Sequence, residues 1–167
     1  MMRDQSLSQL AMEVGVQLRA QGLVLATAES CTGGWLSKVI TEVAGSSAWF
    51  DCGFVTYSNA SKVAMLGVDI HLLDQHGAVS IPVVEAMVTG VLARSCATLA
   101  VSISGIAGPE GGSVAKPVGT LCFGWGKKDQ PPQSIRVVGP ELHCHVASHR
   151  ESAKDGLGDL MVVQRLL

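Results

Sequence analysis

Hydrophobic and polar positions follow two periodicities that alternate along the chain. Short apolar or β-branched runs predict strands, and apolar residues recurring every three or four positions predict helices. Strands are predicted at 23–28, 53–57, 98–102, 118–125 and 134–138, with the last two paired. Helices are predicted at 6–22, 34–43, 60–66, 70–76, 80–94 and 146–166, with Ser80 capping the fifth. Because helices and strands alternate, the sequence predicts an α/β fold in which helices cover a sheet.

Composition favours one globular domain and argues against several classes of partner. The 167 residues are 47% hydrophobic and 16% charged, which suits a single domain, 1–167, with its own core. A net charge of −2, no run of lysines and arginines, and few aromatic residues argue against nucleic-acid binding. No apolar stretch is long enough to predict a membrane helix, and the first residues lack the apolar core of a signal peptide.

The segment 27–34 joins the first predicted strand to the second predicted helix. Ser30 follows the apolar run directly, and Gly33 and Gly34 precede the helix. A hydroxyl at such a turn lies at the end of the sheet, beside unpaired N–H groups of the helix start that favour negative charge. Ser30 is therefore a candidate nucleophile, and an oxyanion or a phosphate is a candidate occupant of the turn. The alternative is that Ser30 or Thr32 only caps the helix.

A second candidate site is the glycine-rich segment 104–112, which follows the buried strand at 98–102. Four of its nine residues are glycine, so its bare backbone N–H groups suit an anion. Ligands of α/β sheets bind beyond the carboxyl ends of strands, where this segment is expected to lie. The spacing fits neither a dinucleotide fingerprint nor a P-loop, and a surface loop without a ligand is the alternative.

Lys62 is the best candidate for the base that a serine nucleophile needs. It is the only charged residue between Cys52 and Val68, and an apolar run follows it. A lysine without nearby carboxylates can be desolvated, and desolvation lowers the pKa of its ammonium group. Tyr57, five residues earlier, is a candidate proton relay. The alternatives are a solvated helix lysine and a half-buried strand tyrosine.

Two other chemistries have weaker candidates. Cys31 follows Ser30, but no histidine lies nearby in sequence to activate it, so a small buried hydrophobic residue is the favoured interpretation. His143, His145 and His149 have a zinc-like spacing, yet no acidic partner is placed to complete a site. The sequence therefore predicts no metal. The five cysteines are widely spaced and include no CxxC pair, which fits a reducing cytoplasm.

Several segments together resemble the CinA C-terminal domain family, the bacterial nicotinamide-nucleotide amidases. The likeness runs from about residue 8 to residue 125, and we expect the stand-alone form of the domain. The matching stretches are 27–34, 44–47, 53–59, Lys62, 77–80, 104–109 and 116–120. Because these motifs occur together in the right order, the resemblance is specific.

The resemblance implies hydrolysis of the carboxamide of nicotinamide mononucleotide to nicotinate mononucleotide and ammonia. It implies a three-layer α/β/α sandwich with a mixed, mostly parallel central sheet, assembled as a homodimer or larger in the cytoplasm, without a cofactor. By motif, Ser30 is the nucleophile, Lys62 is its base, and Tyr57 lies beside them. The expected substrate contacts, including turn N–H groups for the oxyanion, are Thr32, Gly33, Gly34, Ser104, Gly105, Ala107 and Gly108.

The C-terminal third departs from the family pattern. The family has a glycine followed two residues later by an arginine, which is expected near the substrate phosphate. Here Gly139 is followed by Pro140 and Glu141, and His145 falls nearest the arginine position. An imidazole that is mostly neutral at pH 7 does not replace a bidentate guanidinium.

Three functions therefore stay open at the level of sequence. The first is the amidase acting on nicotinamide mononucleotide. The second is a catalytically weak or inactive paralogue that binds a nucleotide or a partner protein, which the altered stretch 139–149 would explain. The third is an amidase for another small amide, such as one without a phosphate.

Overall fold

The computed structural model describes residues 2–139, with side chains from Leu7 onward. The helices in this part of the chain are α1 (Met2–Ala20), α2 (Trp35–Thr41), α3 (Asn59–Leu66), α4 (Ile70–His76) and α5 (Ile81–Arg94). The strands are β1 (Leu25–Glu29), β2 (Phe50–Val55), β3 (Leu99–Gly105), β4 (Thr120–Lys127) and β5 (Gln133–Val138). None of these helices combines the length and apolarity needed to cross a membrane. The predicted last helix, 146–166, and His143, His145 and His149 lie outside the described residues.

The strands form one mixed sheet in the order β2-β1-β3-β4-β5. β1 pairs in parallel with β2 and with β3, whereas β4 runs antiparallel to β3 and to β5. Four of the five strands therefore share one direction, which confirms the mixed, mostly parallel sheet. The carboxyl ends of β1, β2 and β3 meet at the same end of the sheet, where α/β folds bind their ligands.

Helices cover both faces of the sheet, which confirms the three-layer sandwich. On one face, α1 and α2 pack over the sheet through a core that includes Val14, Leu36 and Val101. On the other face, α5 packs through a second core that includes Met87 and Ala100. β1 contributes to both cores because alternate strand residues point to opposite faces. Each face of β1 therefore lies beneath a helical layer.

A close approach between α3 and α5 fixes the position of α3 over the sheet. Gly90 of α5 lies directly against α3, and a Cβ built on it would be 2.2 Å from the Leu66 carbonyl oxygen. No larger residue fits at that distance without moving a helix. The glycine thus allows α3 to lie close to β1, and α3 is the helix that carries Lys62.

Most predicted bounds agree with the structure to within a few residues, but β3 extends to Gly105, three residues past its predicted end. The polar residues Ser102 and Ser104 interrupt the apolar run, so the sequence pattern predicted too early an end for the strand. Both side chains are buried, and their hydroxyls donate to backbone carbonyls of Val84 and Ala78, at 2.7 and 2.8 Å. Paired in this way, a serine is tolerated inside a strand.

Ser80 stands at the N-cap of α5, as predicted, yet its side chain does not cap the helix. The hydroxyl donates instead to the Gly77 carbonyl at 2.8 Å. The prediction of a side-chain cap was therefore wrong: the hydroxyl ties Ser80 to the preceding turn and not to the start of α5.

Candidate active site

Ser30 lies at the carboxyl end of β1, in the middle of the parallel part of the sheet. Its N–H donates to the Ile103 carbonyl at 3.0 Å, and its carbonyl accepts from the Gly33 N–H at 3.1 Å. These two bonds fix the serine between the end of β3 and the turn that leads to α2. The residue is only 7% exposed. The predicted strand, turn and helix around Ser30 are confirmed.

Lys62 reaches Ser30 from α3. Its Nζ lies 3.0 Å from the Ser30 Oγ, and it donates to the Thr56 carbonyl at 2.7 Å and to the Tyr57 carbonyl at 3.4 Å. The side chain is fully buried. A reciprocal capping box between Ser58 and Ser61 fixes the start of α3, one turn before the lysine. Local capping and the close approach to α5 together aim the amine at the end of β1.

The environment of Lys62 favours the neutral amine. Burial lowers the pKa of Lys62 below its ordinary value of 10.5, and the nearby Cys31 thiol opposes this with a smaller effect. In the described part of the chain, the ion pair found is between Lys38 and Glu42, on the surface. Among the described residues, Lys62 therefore contacts two carbonyls and a hydroxyl but no carboxylate that would hold its proton.

Tyr57 contributes its backbone rather than its ring to this cluster. The Tyr57 carbonyl accepts from Lys62, while the side chain is 67% exposed. The structure therefore does not bring the phenol into the hydrogen bonds of the Ser30–Lys62 pair. The Thr56 hydroxyl is buried and has no hydrogen-bond partner among the described residues. Its backbone carbonyl, which sequence reasoning did not single out, makes the shortest of the three contacts to the amine.

Glu29 organises the turn that follows Ser30. Its carboxylate is fully buried and accepts five hydrogen bonds from the start of α2. The donors are Thr32 Oγ1 at 2.7 Å, Gly34 N at 3.1 Å, Leu36 N at 3.0 Å, and Ser37 N and Oγ at 2.8 and 2.6 Å. The carboxylate thus satisfies the unpaired N–H groups of the helix start and meets its positive dipole end.

This arrangement corrects two expectations for the turn. The N-cap is Gly34, in a left-handed conformation with φ of 97°, so neither Ser30 nor Thr32 caps α2 through its side chain. The Gly34 N–H is held by Glu29, and the Gly33 N–H donates to the Ser30 carbonyl. Of the three predicted oxyanion donors, only the Thr32 N–H has no partner among the described residues. Sequence reasoning missed Glu29, although a lone acid at the end of an apolar strand before a helix was a usable signal.

Glu29→Ala is expected to lower the free energy of unfolding by about 3 kcal/mol, because it leaves buried N–H groups without an acceptor. Chemical denaturation of the variant and the parent protein measures the difference. Glu42→Ala, at the other end of α2, is the matched control, and removing its exposed ion pair with Lys38 should cost below about 1 kcal/mol. Equal losses in the two variants would contradict the role given to Glu29.

The predicted ligand-binding loop lies at the same end of the sheet, but Ser104 does not expose its hydroxyl there. Ser104 is 1% exposed, and its hydroxyl ties β3 to the Ala78 carbonyl. A Cβ on Gly105 would lie 2.2 Å from Leu121, so this glycine allows close packing inside the sheet. Gly105, Ala107 and Gly108 are all partly exposed, and Gly108 has a φ of 80°. Of these four predicted residues, Ser104 is the buried one.

No group of three or more histidine, cysteine, aspartate or glutamate side chains within residues 7–139 is arranged to hold a metal ion. Cys31 is buried at 4% exposure within the core under α1 and α2, as the favoured interpretation predicted. At this end of the sheet, the structure brings together the Ser30 hydroxyl and the desolvated Lys62 amine.

Comparison with known proteins identifies the family. The model of the CinA C-terminal domain matches residues 7–157. The chain belongs to the CinA C-terminal domain family. The CinA assignment agrees with the resemblance seen in the motifs around Ser30 and Lys62. It also extends beyond them, into the C-terminal part of the chain.

Some relatives of this chain carry names that state an activity. The chain is 61% identical over 122 residues to the nicotinamide-nucleotide amidohydrolase PncC of Escherichia coli K12, covering 73% of this chain and 74% of the relative. It is 57% identical over 117 residues to the enzyme of that name from Pseudomonas putida, covering 70% and 73%. A putative competence-damage inducible protein of Symbiobacterium thermophilum is 58% identical over 161 residues, but this chain spans only 38% of that protein.

Solved CinA structures share the fold. A competence-damaged protein (CinA) superfamily protein from Escherichia coli has a TM-score of 0.84 at 32% identity, covering 96% of this chain and 90% of that one. The competence damage-inducible protein A from Klebsiella pneumoniae has a TM-score of 0.83 at 36% identity, covering 96% of both chains. These neighbours support the α/β architecture independently of the motifs.

Proposed function

We propose that this protein hydrolyses the carboxamide of nicotinamide mononucleotide to nicotinate mononucleotide and ammonia, with Ser30 as nucleophile and Lys62 as base. The observation that carries the proposal is the 3.0 Å separation between the Ser30 Oγ and a buried Lys62 amine that touches no carboxylate within residues 7–139. The PncC relatives are named nicotinamide-nucleotide amidohydrolases, which supports the substrate. Such a reaction belongs to the recycling of pyridine nucleotides.

The hydrogen bonds of Lys62 suit a neutral amine acting as a proton acceptor. A neutral amine has two N–H bonds and one lone pair. The carbonyls of Thr56 and Tyr57 take the two N–H bonds, which leaves the lone pair for the Ser30 O–H. The backbone carbonyls thus orient the base as a third group orients the histidine of a catalytic triad.

The reaction then proceeds in two stages, acylation of Ser30 and hydrolysis of the resulting ester, and the same amine accepts and returns a proton in each stage. The Ser30 Oγ attacks the carboxamide carbon while its proton passes to Lys62, and a tetrahedral oxyanion forms. The ammonium of Lys62 returns this proton to the departing nitrogen, so that ammonia leaves and an ester to Ser30 remains. Water, deprotonated by the neutral amine, attacks the ester carbon, and the ammonium returns that proton to the departing Ser30 Oγ, so that the acid is released and ionises to the carboxylate. We assign the oxyanion to the Thr32 N–H, and one such donor contributes about 3 kcal/mol.

The remaining expected residues enter the proposal in supporting roles. Ala107 and Gly108 contact the substrate from the loop that follows β3, and His145 lies outside the described residues. Tyr57 contributes its carbonyl to orient the base, and its exposed ring borders the mouth of the site. We also propose that the protein acts in the cytoplasm as a homodimer or larger assembly, which the exposed side chains of Val55, Tyr57 and Met65 would support as a contact surface.

Incubation of the purified protein with nicotinamide mononucleotide is expected to release ammonia and nicotinate mononucleotide in equal amounts, and coupled detection of ammonia measures the rate. A panel of other small amides, with and without a phosphate, tests the substrate. Tight binding without turnover would contradict the amidase and favour the inactive paralogue. If an amide without a phosphate is turned over faster than nicotinamide mononucleotide, that amide is the better candidate for the substrate.

A further inference from the structure

Two of the stretches that match the family motifs, 77–80 and 116–120, have no part in the proposed chemistry, yet the structure joins them. The first is the turn between α4 and α5, here called the α4–α5 turn. The second ends the loop 106–119 between β3 and β4, here called the β3–β4 loop. The Lys116 Nζ donates to the His76 carbonyl at 2.6 Å, at the end of α4. One lysine therefore connects the loop to the start of the turn.

The α4–α5 turn is fixed beside the nucleophile. The Ser104 hydroxyl donates to the Ala78 carbonyl at 2.8 Å, which ties the turn to the end of β3. In the parallel register, Glu29 pairs with Ile103, so Ser30 and Ser104 are the next residues along two neighbouring strands. Because adjacent strands lie about 4.8 Å apart, the turn is anchored to the immediate neighbour of Ser30.

The β3–β4 loop is compact and closed at its base. Its ends are joined by two hydrogen bonds of 2.9 Å, from the Ile106 N–H to the Thr120 carbonyl and from the Gly119 N–H to the Ile106 carbonyl. The loop also packs on itself, since a Cβ on Gly108 would lie 2.6 Å from a methyl carbon of Val118. A closed loop packed by its own side chains is positioned as a unit. Its orientation at the mouth of the site therefore depends on what holds its outer part.

Two side chains tie the outer part of the loop to the rest of the molecule. The Arg136 guanidinium, from β5, donates to the Ala115 carbonyl. Lys116 makes the tie to α4. Between them, a local turn fixes the backbone: the Ser113 N–H donates to the Lys116 carbonyl at 2.8 Å, and the Lys116 N–H donates to the Ser113 Oγ at 3.1 Å. Arg136 thus holds the loop on β5, and Lys116 holds it against the α4–α5 turn.

The end of α4 is a favourable place for an ammonium group. The carbonyls of the last helical turn have no partner within the helix and form the negative end of its dipole. A lysine near a helix end satisfies such a carbonyl, and a bond from a charged donor is stronger than one between neutral groups. The bond from Lys116 to His76 therefore gives the loop a firm attachment across the mouth of the site.

We propose that Lys116 is a positioning residue for the amidase reaction, which it serves by fixing the β3–β4 loop against the α4–α5 turn beside Ser30. The inference rests on the proposed function for the identity of the substrate, which Ala107 and Gly108 contact from this loop. The Lys116 ammonium bonds the end of α4, whereas Ser30 bonds Lys62. Loss of the ammonium should therefore weaken substrate binding and leave the chemical step nearly unchanged.

Steady-state kinetics with nicotinamide mononucleotide separate binding from chemistry. Lys116→Met keeps most of the side chain and removes the ammonium, so KM should rise about 10-fold while kcat changes by less than about 3-fold. Lys116→Arg can still donate to a carbonyl, and it should bring KM back to within about 3-fold of the parent value. Lys128→Met is the matched control, because Lys128 is an exposed lysine that follows β4 at the other end of the sheet. It should keep the KM of the parent protein.

Amide hydrogen exchange tests the tie without any substrate. The N–H groups of Ser113 and Lys116 are bonded inside the outer part of the loop. In Lys116→Met, the N–H groups at these two positions should exchange at least about 10-fold faster, because local opening costs less free energy once the tie is lost. The N–H groups of Ser30 and Thr56 bond carbonyls within the sheet and should keep their rates, which shows that the variant is folded.

Several outcomes would overturn the positioning role. They are an unchanged KM in Lys116→Met, a loss in Lys116→Arg as large as that in Lys116→Met, a fall in kcat as large as the rise in KM, and unchanged exchange in the loop. A failure of the amidase proposal would appear separately, as absent ammonia release by the parent protein. The exchange comparison would then still support or overturn the tie made by Lys116.

Discussion

Ser30→Ala is expected to reduce ammonia release from nicotinamide mononucleotide by at least about 1,000-fold, because it removes the atom that attacks the carboxamide. The protein should stay folded. Ser30 is held by its backbone bonds to the Ile103 carbonyl and the Gly33 N–H, and alanine keeps both. Product binding should change little, since the hydroxyl acts on the reacting carbon and not on the phosphate. Steady-state rates and calorimetric binding of nicotinate mononucleotide measure the two effects.

Ser95→Ala provides the matched control for the loss of a serine hydroxyl. Ser95 follows α5, and its hydroxyl donates to the Val91 carbonyl at 2.8 Å, at the opposite end of β3 from Ser30. Its activity should stay near that of the parent protein. Ammonia release that survives Ser30→Ala would remove the serine from the mechanism, even if the wild-type protein is an efficient amidase.

The sequence could predict the strand–turn–helix around Ser30 because its signals are local. An apolar run, two glycines and an amphipathic segment lie within twenty residues, and each restricts the backbone by itself. The same local reasoning singled out Lys62, because no other charged residue lies near it in the sequence. It could not give the contact between them, because they are 32 residues apart and meet only when α3 packs on α5 at Gly90.

The roles of Glu29 and Tyr57 show where sequence patterns stop being sufficient. A strand pattern cannot tell whether an acid at its end faces water or the start of the next helix, and Glu29 takes the second option with five hydrogen bonds. A motif likewise names Tyr57 without saying which of its atoms acts. The carbonyl faces Lys62, and the ring faces solvent. Both outcomes depend on the rotation of a strand end, which tertiary packing sets.

Lys62→Met is expected to reduce turnover by at least about 1,000-fold while the fold is retained. Methionine has a similar length and fills the buried space, but it has no lone pair that accepts the serine proton. Lys38→Met is the matched control, since the Lys38 side chain lies on the surface and pairs with Glu42. Its activity should remain close to that of the parent protein. If Lys62→Met loses turnover and Lys38→Met does not, the difference measures the contribution of the Lys62 amine to the rate.

The pH dependence separates a base from a merely structural lysine. Burial lowers the pKa of Lys62 in the folded protein, so kcat/KM should rise with pH through that folded-state pKa, below 10.5. The same shift opposes folding at low pH, because the folded protein must then hold a buried ammonium. This cost to the free energy of unfolding disappears as the pH rises from the pKa of Lys62 in the folded protein toward 10.5, its value in the unfolded chain. Lys62→Met should therefore gain most in melting temperature, relative to the parent protein, at acid pH. A melting difference independent of pH, or an activity limb centred above 10.5, would mean that Lys62 keeps its proton and cannot act as the base.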